Sequence, residues 1–178
     1  MTAHHTPRTN ASCRLNVASE AEMDCFGKKL SEALTAGLVV ALAGDLGAGK
    51  TRLVRAVATA LGADEAVVNS PTFVLVQRYE ARLPIFHFDT YRLRDADEFA
   101  DLGPEETFAA GGICFVEWAD RVEDALPDDH LKIEIDATGP TSRRIALTAT
   151  GPQSLATVNR LRDSISTDAD ATAGKDAT

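Results

Sequence analysis

The chain has 178 residues, 44% of them hydrophobic, and a formal net charge of −9 at pH 7. That length suits one domain, and the apolar content suffices for a core. An acidic chain gains nothing from counterion release at phosphates, which argues against nucleic-acid binding by the isolated protein but not against contact with a nucleic acid held by a basic partner or through a local basic patch. Cys13, Cys25 and Cys114 are odd in number and form no C-x-x-C pair. They read as buried thiols of a reducing compartment rather than as a disulfide frame. With no secretory apolar segment at the N-terminus and no run long enough to span a bilayer, the expectation is a cytoplasmic protein without membrane contact.

Residues 1–12 are polar and are expected to form a flexible tail. Cys13 to Ala18 can form a strand. Ser19 and Glu22 have the spacing of a capping box, followed by Met23, Phe26, Leu30, Ala33 and Leu34 at helical intervals. Gly37 is expected to close that helix. Leu38 to Ala43 is continuously apolar, the pattern of a central parallel strand covered on both faces. A glycine-rich segment follows, then a helix from Thr51 to Leu61. Pro71 marks a break between Val67-Val68 and a strand region ending at Tyr79. Strands are expected at Ile85–Phe88 and Ile113–Val116, a broken helix between Asp97 and Phe108, and a helix at Ala119–Leu126. Leu131–Ile135 and Arg144–Ala149, turned by Gly139 to Ser142, suggest an antiparallel hairpin at a sheet edge. A last helix is expected from Pro152 to Ile165, with residues 166–178 as a second flexible tail. The predicted fold is α/β: one P-loop domain over residues 13–165, its mostly parallel central sheet carrying helices on both faces.

Gly44-Asp45-Leu46-Gly47-Ala48-Gly49-Lys50-Thr51 satisfies G-x-x-x-x-G-K-[ST] without a mismatch. Its position between an apolar strand and a helix is what a phosphate cradle requires. The glycines let main-chain amides approach anionic oxygens, and the following helix N-terminus favours negative charge. Lys50 is expected on the β- and γ-phosphates and Thr51 on Mg²⁺. Asp45 either contacts its own loop or is an exposed variable position.

Such a site also needs a carboxylate at the end of a buried strand. Glu117 ends Ile113 to Val116, and Asp89 ends Ile85 to Phe88. One is expected beside the metal and the other beside the attacking water, with Asp89 preferred for the water. The plainer alternatives are a helix-entry carboxylate for Glu117 and an Asx turn for Asp89. His87 either polarises a water or phosphate or is a satisfied structural histidine. Trp118 is either a rim platform or core packing.

Four segments together resemble the TsaE family of bacterial P-loop ATPases. They are Gly44 to Thr51, Ser70-Pro71-Thr72-Phe73 with Tyr79, His87-Phe88-Asp89 with Tyr91-Arg92-Leu93, and Ile113 to Glu117 with Trp118. The resemblance covers roughly residues 15–150. It implies a weak Mg²⁺-dependent ATPase that works with TsaD and TsaB in threonylcarbamoyladenosine modification of tRNA, meeting the tRNA only through that complex. It also implies that Lys50 holds phosphate, Thr51 and Glu117 lie at Mg²⁺, Asp89 is a catalytic acid, and Thr72 belongs to a switch-like segment near the γ-phosphate. Two other classes share the loop: a small-molecule kinase and a nucleotide-gated adaptor. A kinase needs an arginine-bearing lid, and the region after Trp118 offers Arg121, then mostly acids, and later Arg143 and Arg144 at an expected turn, which is thin for a lid. A GTPase is disfavoured because no N-K-x-D segment is present to read guanine.

Overall fold

The structure, a computed structural model, describes residues 11–71 and 74–173, with side chains described through residue 167. The expectations placed on Thr72, Phe73 and residues 1–10 and 174–178 lie outside the described residues.

Seven strands form one sheet in the order β1-β7-β6-β2-β5-β4-β3. They are β1 (Ser12–Val17), β2 (Val39–Ala43), β3 (Val76–Tyr79), β4 (Ile85–Asp89), β5 (Ile113–Glu117), β6 (His130–Ala137) and β7 (Arg143–Ala149). The central four, β6-β2-β5-β4, run parallel, and β1, β7 and β3 pair antiparallel at the two sides. β2 and β5 are buried almost throughout, which explains their uninterrupted apolar sequence. β7 alternates buried with less buried residues instead, because only one of its faces is covered.

The sheet carries helices on both faces. On one lie α1 (Glu20–Ala33), α2 (Lys50–Ala60) and α5 (Pro152–Ala173). Phe26, Leu30, Leu53, Val57 and Val158 meet Phe115 and Ile133 there. On the other face α3 (Ala96–Ala100), α4 (Pro104–Phe108) and two short 3-10 turns cover Val39, Ala41 and Val116. Phe88 meets Phe99 edge-on at 5.5 Å in that second layer.

The capping box at the start of α1 forms in a shifted version. The Glu22 N–H donates to Ser19 Oγ at 3.2 Å, and the Glu22 carboxylate accepts from the Ala18 N–H at 2.7 Å. α1 and α2 pack so closely that a Cβ on Gly27 would stand 2.4 Å from Ala56 Cβ.

Of the three cysteines expected to be buried only Cys114 is, on the doubly covered β5, while Cys13 on the edge strand is half-buried and Cys25 on α1 is exposed. Several elements also differ from expectation. Gly37 does not close α1, which stops at Leu34; with φ of 81° it turns the chain into β2. The β6–β7 hairpin sits one strand inside the edge, because β1 returns alongside β7 and takes the edge position. Ala119–Leu126 forms two 3-10 turns rather than one helix. The stretch expected as a tail from residue 166 is helical to Ala173, since it is rich in alanine and contains no glycine or proline before Gly174.

Candidate active site

The glycine loop leaves the carboxyl end of β2 and enters α2 at Gly49, whose φ is 112°. Gly44, with φ of 142°, passes the neighbouring strand end so closely that a Cβ would lie 2.4 Å from the Ile135 carbonyl oxygen. No other residue satisfies both the backbone angle and the approach. The loop therefore presents main-chain amides and an α-helix N-terminus to one cleft, a donor set that fits a polyphosphate.

Lys50 is only 4% exposed. Its Nζ donates to the Gly44 carbonyl at 2.7 Å and the Asp45 carbonyl at 2.9 Å, and it lies 3.6 Å from the centroid of the Trp118 ring. Burial lowers its pKa, against the opposing influence of Glu117 and Asp89. Asp45 thus contributes through its backbone, while its side chain is exposed. Leu46 is 81% exposed at the cleft mouth, and Ala48 is buried under the loop.

The strand ends bring the acids to the same cleft. Asp89 and Glu117 are register partners on β4 and β5. Thr51 Oγ1 donates to Glu117 Oε1 at 2.7 Å, linking the first turn of α2 to the end of β5. His87 Nε2 reaches the same oxygen at 2.8 Å, and His87 Nδ1 meets the Tyr79 hydroxyl at 3.1 Å. That hydroxyl donates its one proton to the Asn69 carbonyl at 2.7 Å. The two ring nitrogens thus link the Tyr79 hydroxyl to the Glu117 carboxylate. His87 is fully buried with both ring nitrogens engaged, so it supports Glu117 and does not face the cleft.

Asp89 Oδ2 accepts from Ser70 Oγ at 2.7 Å, and Oδ1 accepts from the Tyr91 N–H at 2.9 Å. The second contact is the Asx turn foreseen as the plain alternative, yet Asp89 also lines the cleft. That cleft encloses about 390 Å³ between Lys50, Thr51, Ser70, Asp89, Glu117 and Trp118.

Trp118 departs from core packing. It is half-buried with φ of 60° and ψ of 37°, a left-handed conformation costing about 1–2 kcal/mol for a non-glycine residue. Thr90 Oγ1 meets the Glu117 and Trp118 carbonyls, both at 2.9 Å, and Tyr91 packs on the indole at 4.9 Å. Held so, the ring covers the Lys50 ammonium.

Sequence reasoning weighed Arg143 only as a lid residue and missed its contact with the loop. From the start of β7 its Nε donates to the Ala48 carbonyl at 2.7 Å, and a second guanidinium nitrogen meets the Gly47 carbonyl at 3.2 Å. It braces the loop from behind across 95 residues, and no local spacing announces such a contact.

Loop, helix and acidic strand end define the class as an α/β P-loop domain. The family model described as "Threonylcarbamoyl adenosine biosynthesis protein TsaE" matches residues 17–145. The chain belongs to the TsaE family. The tRNA threonylcarbamoyladenosine biosynthesis protein TsaE of Bacillus subtilis (strain 168) is 45% identical over 116 residues, covering 65% of this chain and 72% of that protein. Its counterpart in Treponema pallidum (strain Nichols) is 37% identical over 122 residues, 68% of this chain and 90% of that one. The crystal structure of Bacillus subtilis YdiB superposes with a TM-score of 0.73 at 30% identity, covering 86% of this chain and 96% of that one. No helix among the described residues is long and apolar enough to cross a membrane.

Proposed function

We propose that the chain binds ATP with Mg²⁺ in this cleft and hydrolyses it, as the ATPase acting with TsaD and TsaB in tRNA threonylcarbamoyladenosine formation. The observation that carries the reading is the Thr51–Glu117 contact at 2.7 Å beside the buried Lys50. A hydroxyl and a carboxylate at the mouth of an amide cradle are the donor set that holds Mg²⁺ in P-loop sites. Bound Mg²⁺ would neutralise charge building on the phosphate oxygens.

The chain's own residues do the rest. The loop amides orient the phosphates, and Lys50 exchanges its two carbonyl acceptors for phosphate oxygens. Thr51 and Glu117 hold the metal. Asp89, fixed by Ser70 and the Tyr91 N–H, is the acid that orients water at the cleft. Trp118 restricts solvent above Lys50. The net charge of −9 leaves tRNA contact to the partners.

The kinase reading loses its lid. Arg143 is committed to the loop carbonyls, Arg121 donates to the Tyr91 and Leu93 carbonyls, and Arg144 pairs with Asp136 at 3.1 Å. The test is phosphate release from ATP by the purified chain, with no acceptor, with a panel of small hydroxyl and amine acceptors, and with TsaD and TsaB added. Release without an acceptor, raised by the protein pair and not by small acceptors, is expected. ADP formation that requires a small acceptor would establish the kinase instead.

A further inference from the structure

Tyr79, His87 and Glu117 are 1%, 0% and 3% exposed, and they form a continuous polar rod. The rod starts at the Asn69 carbonyl, passes through the Tyr79 hydroxyl, which also lies 3.5 Å from Gln77 Oε1, and the His87 ring, and ends on Glu117 Oε1. The antiparallel register of β3 and β4 places Gln77 opposite His87. Tyr79 therefore reaches His87 diagonally, with ring centroids 5.9 Å apart. Core filling alone does not explain the arrangement, since a phenylalanine and an aliphatic residue would occupy this space without burying polar groups.

The anchor end is itself fixed. Arg55 Nε donates to the Val68 carbonyl at 3.0 Å, one residue before Asn69. One residue after it, Ser70 donates to Asp89. The backbone at Asn69–Ser70 thus holds both acids, Glu117 through the rod and Asp89 through one hydroxyl.

We propose that Tyr79 and His87 are positioning residues that set the direction of the Glu117 carboxylate from the Asn69–Ser70 backbone. The proposal rests on the ATPase reading above and assigns these two residues a part in it.

The test uses the full chain with Tyr79→Phe, His87→Gln and His87→Ala. Phosphate release is measured against ATP and against Mg²⁺, alongside calorimetric binding of a non-hydrolysable triphosphate, thermal melting, and imidazole N–H resonances of the nucleotide-free protein. Tyr79→Phe is expected to leave triphosphate affinity within about twofold, lower kcat about tenfold and raise the Mg²⁺ needed for half-maximal rate severalfold. His87→Gln, which keeps a donor toward Glu117, should recover part of the rate lost in His87→Ala. The His87 resonance should be slow to exchange and should shift in Tyr79→Phe. Wild-type kcat and Mg²⁺ dependence in Tyr79→Phe would overturn the proposal. So would losses of rate and affinity that merely follow melting temperature. If Tyr79→Phe does not fold, the comparison of His87→Gln with His87→Ala decides, and equal rates in those two overturn it. A wild-type chain that binds no triphosphate overturns the ATPase reading instead, and is told apart because the resonance and its shift need no nucleotide.

Discussion

Lys50 carries its charge where little water reaches. Two loop carbonyls and the Trp118 face replace hydration, and each is weaker than the phosphate oxygens the loop amides would bring. Lys50→Ala should therefore raise the dissociation constant of ATP about ten- to a hundredfold, the weight of one hydrogen bond to a charged group. Calorimetry checks this, and unchanged affinity would contradict it. Trp118 is the chain's one tryptophan, so its fluorescence should change on saturation with nucleotide as the ammonium leaves its ring. At this scale the sequence was most legible where chemistry and spacing coincide. Lys50, Thr51, Asp89 and Glu117 converge on one cleft as expected. The steering roles of Tyr79, Thr90 and Arg143 were hidden because they depend on how separate strands and loops are brought together, which no local pattern encodes.

The elements show where local signals suffice and where they do not. Ser19 announced the start of α1, and the structure places its side chain on the Glu22 N–H. The start of α5 has a local sign in Pro152 but no local side-chain cap. Its cap is Asp129, more than twenty residues upstream, whose carboxylate accepts from the Gln153 N–H at 2.6 Å and the Ser154 N–H at 3.0 Å. Burial pushes the Asp129 carboxyl up, but Ser154 and Gln153 outweigh it and hold it below the usual aspartate value. A depressed carboxyl stabilises the fold above its unfolded pKa, and that contribution is lost as pH falls through the folded value. Asp129→Asn should thus lower stability at pH 7, with the difference from wild type shrinking below about pH 4. Urea denaturation at several pH values measures both. A second element prediction concerns the close approach of α1 and α2. Gly27→Ala should destabilise by about 1–3 kcal/mol through overpacking against Ala56, despite the better helix propensity of alanine. A higher melting temperature would show that the two helices separate easily.

At the scale of the whole molecule, the fold serves to carry the ends of parallel strands to one side of the glycine loop. β2 delivers the loop, β4 and β5 deliver Asp89 and Glu117, and β7 returns Arg143 to brace the loop from behind. The parallel centre was legible because strands covered on both faces are uninterrupted apolar runs. The position of β1 was not, since an edge strand's partner is set by the route of the entire chain. The central claim is that Glu117, held against Thr51, completes a magnesium site that this scaffold exists to assemble. The most direct measurement is Mg²⁺-dependent phosphate release from ATP by wild type and Glu117→Gln at equal nucleotide occupancy. Glutamine keeps the shape and removes the charge. The account predicts a loss of about a hundredfold or more in rate, with ATP affinity measured without Mg²⁺ changed only a few-fold. Phosphate release by Glu117→Gln at the wild-type rate and with the wild-type Mg²⁺ dependence would contradict it.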